Sequence, residues 1–317
     1  MKALISTVFN EGENIKSVLA DIKEQTEKPD ELIFVDGGSA DQTTENLKGR
    51  VKLIVIKGAS RSQGRNAAIE SSSCDVIAVC DGGTRLKKDW FEKLTRHFSS
   101  PDVDVVCGFF KPEARSFFEK CLAGATIPII DEVEEDKFLP SSRSVAFRKY
   151  AWKKVGGYPE WLPICEDLIF DIKLKLSGFK FKFEPDAIVY WRPRSNAYDF
   201  IKQYYLYARG DGHAKLWTAR HLIRYTAYLT GFLFVYLSFT ISFLWLLPFF
   251  AAELGYFSKF FYRYLGHFPD EHEVKTALAF LFIPILVVLG DAAKMCGYPV
   301  GIYERYTQKI RFEEYRA

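Results

Sequence analysis

Short apolar runs alternate with helical periodicity along the first half of the chain. Runs rich in Val, Ile and Leu predict five strands, at residues 4–9, 32–35, 51–56, 76–80 and 103–107. Between the first two runs, Ile15, Val18, Leu19 and Ile22 recur at the period of an α-helix. This alternation predicts an α/β fold, with a mostly parallel sheet covered by helices on both faces.

The second half of the chain has a different pattern. Residues 179–183 and 187–191 predict a pair of strands, and the aromatic stretch 198–207 predicts an amphipathic helix lying along a membrane surface. None of the 28 residues in 225–252 is charged, and about 20 suffice to cross a bilayer, so this stretch predicts a transmembrane helix that Pro248 kinks or ends. The shorter segment 276–290 is a second span if Asp291 and Lys294 snorkel or pair, and otherwise a re-entrant or a buried helix.

These patterns divide the chain into three regions: a nucleotide-binding domain at 1–196, an interfacial helical segment at 197–224 and a membrane region at 225–317. Basic residues precede the first predicted span and follow the second, which favours a hairpin with both ends in the cytoplasm. They are Lys215, Arg220, Arg224, Lys294, Arg305, Lys309 and Arg311. We therefore expect a protein of the cell membrane whose N-terminal domain faces the cytoplasm.

Composition narrows the choice of partners. The 317 residues carry a net charge of +3 and contain 26% charged residues, without a basic stripe, so we expect no nucleic-acid partner. The six cysteines are scattered and include no C-x-x-C pair, which is typical of buried thiols in a reducing compartment. The apolar run at 3–8 is too short for a signal peptide.

Polar clusters follow the predicted strands at their carboxyl ends, where open α/β sheets bind ligands. Thr7, Asn10 and Glu11 follow the first strand, Asp36 the second and Asp81 the fourth. Glycines after Asp36 and Asp81 let the main chain approach a nucleotide, and Asp81 could reach a ribose hydroxyl or a divalent cation. Ordinary helix caps or β-turns are the alternative reading of both aspartates.

The Gly/Ser-rich segment 58–66 carries Arg61 and Arg65 ahead of a predicted helix. Two guanidinium groups on such a loop suit a diphosphate, because each binds phosphate oxygens bidentately. A solvated basic loop is the alternative.

Six segments together resemble the family 2 glycosyltransferases, which have the GT-A fold. They are residues 6–11, 35–43, 64–66, 81–83, 156–158 and 166–167, in the order that the family has them. The resemblance implies transfer of a sugar from a nucleotide-sugar donor to an acceptor hydroxyl, with inversion at the anomeric carbon.

The resemblance also implies roles for single residues. The nucleotide would be held by Thr7, Asn10, Glu11, Asp36 and Arg65. Asp81 would hold the ribose, a metal ion or both, and Asp167, next to Glu166, would be the general base. Arg143 and Arg209 would contact the acceptor or the membrane interface. Acids in a first helical turn are also common because they offset the helix dipole, which would lower the pKa of Asp167.

The chain departs from the family pattern in two places. Gly83 stands where the D-x-D motif has its second carboxylate, which weakens an Mg²⁺ or Mn²⁺ site at Asp81. Strong metal dependence is therefore not expected. Either Asp81 binds the ion while water and phosphate oxygens complete its coordination, or basic side chains such as Arg61, Arg65 or Arg85 take over part of the cation's role. Processive members have Q-x-x-R-W, whereas here Gln203 is followed three places later by Leu206, so we expect one sugar per encounter.

These observations predict an inverting, membrane-bound glycosyltransferase that acts on a hydroxyl or phosphate of a lipid-linked acceptor. Two other functions remain open. A sugar nucleotidyltransferase should have a Gly-rich, basic segment near its N-terminus, where this chain has residues 7–12. A non-catalytic membrane scaffold that kept the fold is compatible with Gly83, but Asp36, Arg65, Asp81 and Asp167 are all intact.

Overall fold

The computed structural model describes residues 1–308. The chain forms two compact units. The first comprises Met1–Glu113 and Ile130–Arg192, and the second comprises Ala114–Ile129 and the chain from Pro193 onward. The main boundary lies within a few residues of the predicted one at 196, but the assignment of Ala114–Ile129 to the second unit has no signal in the apolar pattern.

The first unit contains one sheet of eight strands in the order β3-β2-β1-β4-β7-β6-β8-β5. The strands are β1 (Lys2–Val8), β2 (Glu31–Asp36), β3 (Lys52–Val55), β4 (Val76–Val79), β5 (Thr84–Leu86), β6 (Val105–Pro112), β7 (Val145–Arg148) and β8 (Phe181–Trp191). β1 to β4 pair in parallel, as do β6 and β8, whereas β7 is antiparallel to both of its neighbours and β5 is antiparallel to β8. The predicted α/β fold with a mostly parallel sheet is confirmed.

The described residues include eleven α-helices. They are α1 (Asn14–Lys23), α2 (Thr43–Leu47), α3 (Arg61–Glu70), α4 (Trp90–Thr95), α5 (Phe117–Thr126), α6 (Lys149–Lys154), α7 (Glu166–Leu176), α8 (Ala197–Ala214), α9 (Thr218–Thr240), α10 (Leu246–His267) and α11 (Glu273–Thr307). The first unit holds α1 to α4, α6 and α7, and the second holds the other five.

Both faces of the sheet are buried. Neighbouring residues of β1 enter opposite cores, because successive side chains of a strand point to opposite faces. Leu4 packs with Phe34 and Trp90 in one apolar cluster, whereas Ile5 packs with Phe147 in the other. Helices therefore cover the sheet on both sides, as the nearly continuous apolar runs predict.

The predicted strand pair at 179–183 and 187–191 is wrong, because β8 is one continuous strand. Opposite it, the pairing with β6 shifts register between Cys107, which pairs with Phe183, and Phe109, which pairs with Ile188. The residues between the two paired segments, including Pro185, bulge out of the ladder. Proline lacks a backbone donor and is tolerated at such a bulge, so the apparent turn is an irregularity within one strand.

The second unit is helical and has its own core. Buried apolar residues of α5, α8, α10 and α11 form one cluster, which includes Leu122, Phe200, Phe260 and Ile283. Glycines bring α8 and α11 into backbone contact, since a Cβ at Gly301 would lie 2.0 Å from the carbonyl oxygen of Arg209. The predicted amphipathic helix at 198–207 lies within α8.

The prediction of a single helix over 225–252 is wrong. The uncharged stretch is divided between α9 and α10, which fold back on each other, so that Phe234 stacks on Trp245 with ring centroids 5.9 Å apart. α9 ends at Thr240, and Ser242, two residues later, has extended backbone and a hydroxyl that accepts a hydrogen bond from Leu244 N. Pro248 lies in the first turn of α10, where a backbone N–H would have no intrahelical acceptor. The lack of an N–H in proline therefore costs no helical hydrogen bond.

Among the helices of residues 1–308, two are long and apolar enough to cross a membrane: α9 and α11. No residue in the apolar window of α9 is buried, whereas 39% of the window of α11 is buried within the protein. α11 begins three residues before the predicted segment 276–290 and extends 17 residues beyond it. Lys309 and Arg311, which contribute to the predicted orientation, lie outside the described residues, and membrane crossing stays a prediction.

Candidate functional site

The candidate site is built on the carboxyl ends of neighbouring parallel strands. Val8 and Asp36, the last residues of β1 and β2, are paired in register, and β4 lies on the other side of β1. The loops that follow these three strands therefore start side by side. Asn10, Asp36 and Asp81 lie at these three strand ends, so three of the sequence clusters meet at one edge of the sheet.

Hydrogen bonds join the loops after β1 and β2. Asn10, with a left-handed φ of +53°, donates its N–H to Ser39 Oγ at 2.8 Å and accepts from Ala40 N at 2.9 Å. Glu11 N donates to Thr43 Oγ1 at 2.8 Å. The backbone on which Asn10 and Glu11 are held is thus fixed by the turn that follows β2.

Asp36 is buried in that same turn. Its carboxylate accepts hydrogen bonds from Ser39 Oγ at 2.5 Å and from Thr44 Oγ1 at 2.7 Å. The residue holds the turn that leads into α2, but it does not cap that helix, whose N-cap residue is Gln42. A direct role toward a nucleotide stays a prediction.

The structure brings Glu11 to the loop after β4. A Cβ at Gly83 would lie 3.4 Å from Glu11 Oε2, and one at Gly82 would collide with Val8. Burial raises the pKa of Glu11, and the nearby charges of Asp81 and Asp41 raise it further. The carboxylate of Glu11 thus lies beside the position at which the family pattern has its second aspartate.

Arg65 lies at the centre of the site. The structure corrects the predicted loop, because both arginines belong to α3, which Ser60 and Gln63 begin with a reciprocal capping box. Arg61 is exposed, whereas Arg65 is only 2% exposed. One turn into the helix, its side chain points into the protein instead of toward solvent.

The Arg65 guanidinium joins two carboxylates that are far apart in sequence. Nη1 donates to Glu166 Oε1 at 2.7 Å, and Nη2 donates to Asp81 Oδ1 at 3.0 Å. The pKa of Arg65 is raised above its ordinary value because these two charges outweigh the effect of burial. The guanidinium is therefore permanently charged and fixes the loop after β4 against the first turn of α7.

Arg143 approaches the other oxygen of Asp81. Its Nε lies 3.7 Å from Asp81 Oδ2, and its guanidinium lies over the Trp191 ring at 4.5 Å. Burial alone would raise the pKa of Asp81, but Arg65, Arg143 and Arg61 together hold that pKa below its ordinary value. Asp81 is therefore ionised and faces three guanidinium groups.

The acidic pair at the start of α7 separates into two environments. Glu166 is buried and ion-paired to Arg65, so its side chain holds the site together. Asp167 is partly exposed, and burial followed by repulsion from Glu166 raises its pKa, against the opposing effect of Arg65 and Arg143. The predicted lowering by the helix dipole is thus wrong, and a raised pKa makes Asp167 a stronger base.

Asn66 is a structural residue to which the sequence analysis gave no role, although it lies in a quoted motif. Its Oδ1 accepts from Trp152 Nε1 at 3.0 Å and from Tyr158 N at 2.9 Å, and its Nδ2 donates to Tyr158 O at 2.9 Å. These bonds fix the turn at Gly157, where φ is +73°. The Tyr158 ring is thereby held with its centroid 5.3 Å from the Arg65 guanidinium carbon.

Three further predicted residues each contact another part of the protein. Thr7 packs against α3 at Gly64, where a Cβ would come within 2.7 Å of its methyl group. Arg85 pairs with Asp21, with 2.6 Å between Nε and Oδ2. Arg209 belongs to the second unit and pairs with Glu304, with 2.6 Å between Nε and Oε2.

The residues at this site do not form a complete metal site by themselves. Within the described part of the chain, no three His, Cys, Asp or Glu side chains are grouped so that they could hold a metal ion. Asp81 and Glu11 offer two carboxylates at most. A divalent cation here would need oxygens of a bound diphosphate to complete its coordination.

Asp171 lies one helical turn beyond Asp167 and is 2% exposed. Burial raises its pKa well above the ordinary value, and the negative charge of Asp167 raises it further. Within the described residues its Oδ2 has no hydrogen-bond partner. Folding therefore favours the protonated side chain, and ionisation of Asp171 opposes folding.

We predict that Asp171→Asn stabilises the protein at neutral pH. Because the pKa of Asp171 is higher in the folded than in the unfolded state, its cost to stability grows as pH rises above the ordinary aspartate value. The gain in Tm of Asp171→Asn over the unchanged protein should be larger at pH 8 than at pH 4.5. An equal difference at both pH values, or a loss of stability, would contradict this assignment.

Comparisons with known proteins agree with this geometry. The chain is 28% identical over 204 residues to the O-antigen chain rhamnosyltransferase RfbN of Salmonella typhimurium, covering 59% of this chain and 64% of that protein. It is 24% identical over 198 residues to the glycosyltransferase AglE of Haloferax volcanii, covering 59% and 65%. The matches to both relatives thus span slightly less than two thirds of their lengths.

A third relative and a solved structure extend the comparison. The poly-beta-1,6-N-acetyl-D-glucosamine synthase of Staphylococcus aureus is 25% identical over 224 residues, covering 66% of this chain and 53% of that protein. The mannosyltransferase PcManGT of Pyrobaculum calidifontis, solved in complex with GDP-Man and Mn²⁺, superposes with a TM-score of 0.55 at 16% identity. That match covers 98% of this chain and 88% of the other, and it supports the fold.

The sheet, the convergence of three strand-end loops and the similarity to these proteins point to the same family. The family model described as "Glycosyl transferase family 2" matches residues 3–152, which include β2 to β7, nearly all of β1, and the site residues Glu11, Asp36, Arg65 and Asp81. Residues 3–152 are therefore similar to glycosyl transferase family 2, and the chain has the GT-A fold.

Proposed function

We propose that the chain transfers a sugar from a nucleotide-diphosphate sugar to an acceptor, with inversion at the anomeric carbon. The observation that carries this proposal is the position of Arg65 between Asp81 and Glu166, which neighbours Asp167. The buried Arg65 guanidinium thereby links the loop after β4, which we expect to bind the donor, to α7, which we expect to carry the general base. The match of residues 3–152 to the glycosyl transferase family 2 model and the similarity to rhamnosyltransferase RfbN support the reaction class.

The donor would lie along the strand-end loops. The nucleoside would be held by Asn10 and Glu11 of the loop after β1, together with Thr7 near the end of β1 and Asp36 at the end of β2. Asp81 would reach the ribose. Arg61 and Arg143 lie close enough to lower the pKa of Asp81, and the positive charge of the same two guanidinium groups would attract a diphosphate. Arg65 would act by positioning Asp81 and Glu166, since each of its two terminal nitrogens donates a hydrogen bond to one of these carboxylates.

Asp167 would act as the general base. As its carboxylate takes the proton from the acceptor hydroxyl, the acceptor oxygen would form a bond to the anomeric carbon, and the bond from that carbon to the diphosphate oxygen would break. The nucleoside diphosphate leaves with the bonding electron pair. A single displacement of this kind inverts the configuration, and the raised pKa of Asp167 improves proton transfer.

A divalent cation would offset the charge that builds up on the leaving diphosphate. Asp81 would hold it together with phosphate oxygens, and Glu11 lies beside Gly83 as the nearest further carboxylate. Because Asp81 already faces Arg65 and Arg143, a cation there would compete with guanidinium groups. We therefore infer that the cation binds weakly and mainly through the donor.

The acceptor would be a membrane lipid carrying a phosphate or a growing glycan. The two helices that are long and apolar enough to span a bilayer support a membrane location. Anchoring raises the local concentration of a lipid-linked acceptor. The catalytic domain would face the cytoplasmic pool of nucleotide sugars, and one sugar would be added per encounter.

We predict that Asp167→Asn lowers the rate of transfer by at least about 10²-fold, because an amide cannot accept the proton. Release of nucleoside diphosphate from the donor in the presence of acceptor measures the rate. Nucleotide binding, measured by thermal shift, should be unchanged. Glu45→Gln is the matched control, since Glu45 is an exposed acid in the first turn of α2 and should be neutral.

Retained turnover in Asp167→Asn would refute the assignment of the base. If the unchanged protein itself releases no nucleoside diphosphate from any donor, the chain is a non-catalytic scaffold. Formation of a sugar nucleotide from a sugar phosphate and a nucleoside triphosphate would identify a nucleotidyltransferase instead.

A second prediction concerns the cation. Gly83→Asp should strengthen Mn²⁺ binding in the presence of a nucleoside diphosphate by roughly tenfold, because it adds a hard oxygen ligand close to Asp81. A Cβ at Gly83 meets only Glu11 oxygens, at 3.4 and 3.9 Å, so the substitution fits sterically. Titration calorimetry measures the affinity, and Gly83→Asn is the control of equal size. Equal affinities of the three proteins would show that no cation binds beside Asp81.

A further inference from the structure

Helices α9 and α10 form an antiparallel hairpin with an apolar outer surface. No residue of 225–252 is charged, so this part of the hairpin has no polar face that would prefer water. Large apolar residues along both helices and in the turn between them are 67% to 87% exposed, including Leu229, Phe232, Phe239, Ile241, Phe243, Leu247 and Leu254. Such a surface is typical of an element surrounded by lipid.

The turn between the two helices satisfies its polar groups internally. Leu237 O accepts from Ile241 N at 2.9 Å and from Ser242 N at 3.2 Å. The hydroxyl of Thr240 donates to Tyr236 O at 3.0 Å. In hydrocarbon, where water supplies no hydrogen bonds, backbone and hydroxyl groups need internal partners of this kind. The turn is therefore suited to a position inside a bilayer.

The charged residues on each side of the turn limit how deeply the hairpin can insert. Arg224 lies about 24 Å from the end of α9, and Glu253 lies about 11 Å from the start of α10. The hydrocarbon core of a bilayer is about 30 Å thick. If the hairpin crossed this core, Glu253 would lie near the centre of the bilayer, where a charged side chain is costly. If the turn ends near the midplane, Glu253 reaches the head groups instead.

The long helix α11 crosses the base of the hairpin. Phe280 packs against Phe261 with ring centroids 4.6 Å apart, and Asp291 accepts from Arg224 Nε at 2.8 Å. Phe261 and Arg224 are both about 22–24 Å from the turn, measured along their own helices. Yet Phe280 and Asp291 are about 16 Å apart along α11. A helix that keeps one depth over this length runs along the membrane surface.

The surface of α11 agrees with this position. Four exposed apolar residues recur at the spacing of one helical face: Leu278, Leu281, Ile285 and Val288. Other apolar residues of the same segment are buried in the core of the second unit: Ala279, Ile283, Leu286 and Val287. Apolar exposure on one face is typical of a helix that lies in the membrane interface, whereas the apolar window of α9 contains no buried residue.

We propose that the α9–α10 hairpin inserts into one leaflet of a bilayer without crossing it, and that α11 lies along the surface of that leaflet. The partner of the exposed hairpin is thus the acyl chains of a single leaflet. Both ends of the hairpin stay on one side of the membrane, and the turn at 241–245 ends near the midplane. The inference rests on the membrane location in the proposed function, but it does not depend on sugar transfer.

The first test compares two thiols in the full-length protein reconstituted in lipid nanodiscs, where water reaches both faces of the bilayer. Ile241→Cys lies in the turn, and Ser258→Cys, at an exposed position of the same hairpin near its base, is the matched control. Both variants also carry Cys296→Ala, because Cys296 is exposed and the other five cysteines are buried. A water-soluble maleimide should label Ile241→Cys at least about tenfold more slowly than Ser258→Cys, because hydrocarbon excludes the reagent.

Both variants should be labelled equally after denaturation in SDS, which shows that both thiols are intact. Labelling of Ile241→Cys in nanodiscs as fast as that of Ser258→Cys would overturn the proposal. The turn would then reach water, either on the far face of the bilayer or outside it.

The second test measures depth with a fluorophore attached to Ile241→Cys or to Leu281→Cys. Lipids carry a nitroxide quencher either at the head group or near the end of an acyl chain. We expect the acyl-chain nitroxide to quench more strongly at Ile241→Cys and the head-group nitroxide to quench more strongly at Leu281→Cys. The opposite order at either position would overturn the proposed position of that element. Absence of quenching at Ile241→Cys would show that a protein surface, not lipid, covers the hairpin.

Failure of this proposal can be told apart from failure of the proposed function. A protein that passes both tests but releases no nucleoside diphosphate from any donor would keep this membrane position and lose the transferase function. A protein that transfers sugar but fails either test would keep the function and lose the insertion into one leaflet.

Discussion

The candidate site depends on one buried positive charge. Arg65 is almost completely excluded from solvent, and an unpaired guanidinium in such a place would cost several kcal/mol. Asp81 and Glu166 neutralise it, one from the loop after β4 and one from the first turn of α7. Since these partners lie 16 and 101 residues away along the chain, the pairing forms only when the sheet and both helices are in place. Folding of the first unit and assembly of the site are therefore the same event.

The same ion pair explains why two adjacent acids differ. Glu166 turns inward to Arg65, whereas Asp167 is partly exposed and keeps a raised pKa. A base needs that combination of accessibility and proton affinity. Asn66, the residue after Arg65, fixes the turn that carries Tyr158 against the guanidinium, so α3 supports the site through two neighbouring side chains.

Much of this arrangement can be predicted from sequence. Apolar runs locate the parallel strands because both faces of the sheet are buried, and the polar residues that follow them mark the ligand edge. The apolar pattern does not show which polar residues are buried. Burial raises the pKa of Asp167 against the effect of the helix dipole, and Arg65 is buried in a capped helix, where the pattern predicts a solvated loop. The bulge at Pro185 and the reversal at Ser242 escape prediction because a local break in pattern does not reveal whether the chain turns or continues.

The measurement that tests the account most directly is a double-mutant cycle on Arg65 and Glu166. Arg65→Met and Glu166→Gln should each destabilise the protein by about 3 kcal/mol, because each leaves a buried charge with a partner missing. The double variant should cost less than the sum by about 1–3 kcal/mol, and Arg65→Met should also weaken nucleoside diphosphate binding. Additive losses of stability, with nucleotide binding unchanged in Arg65→Met, would show that this ion pair does not hold the site together.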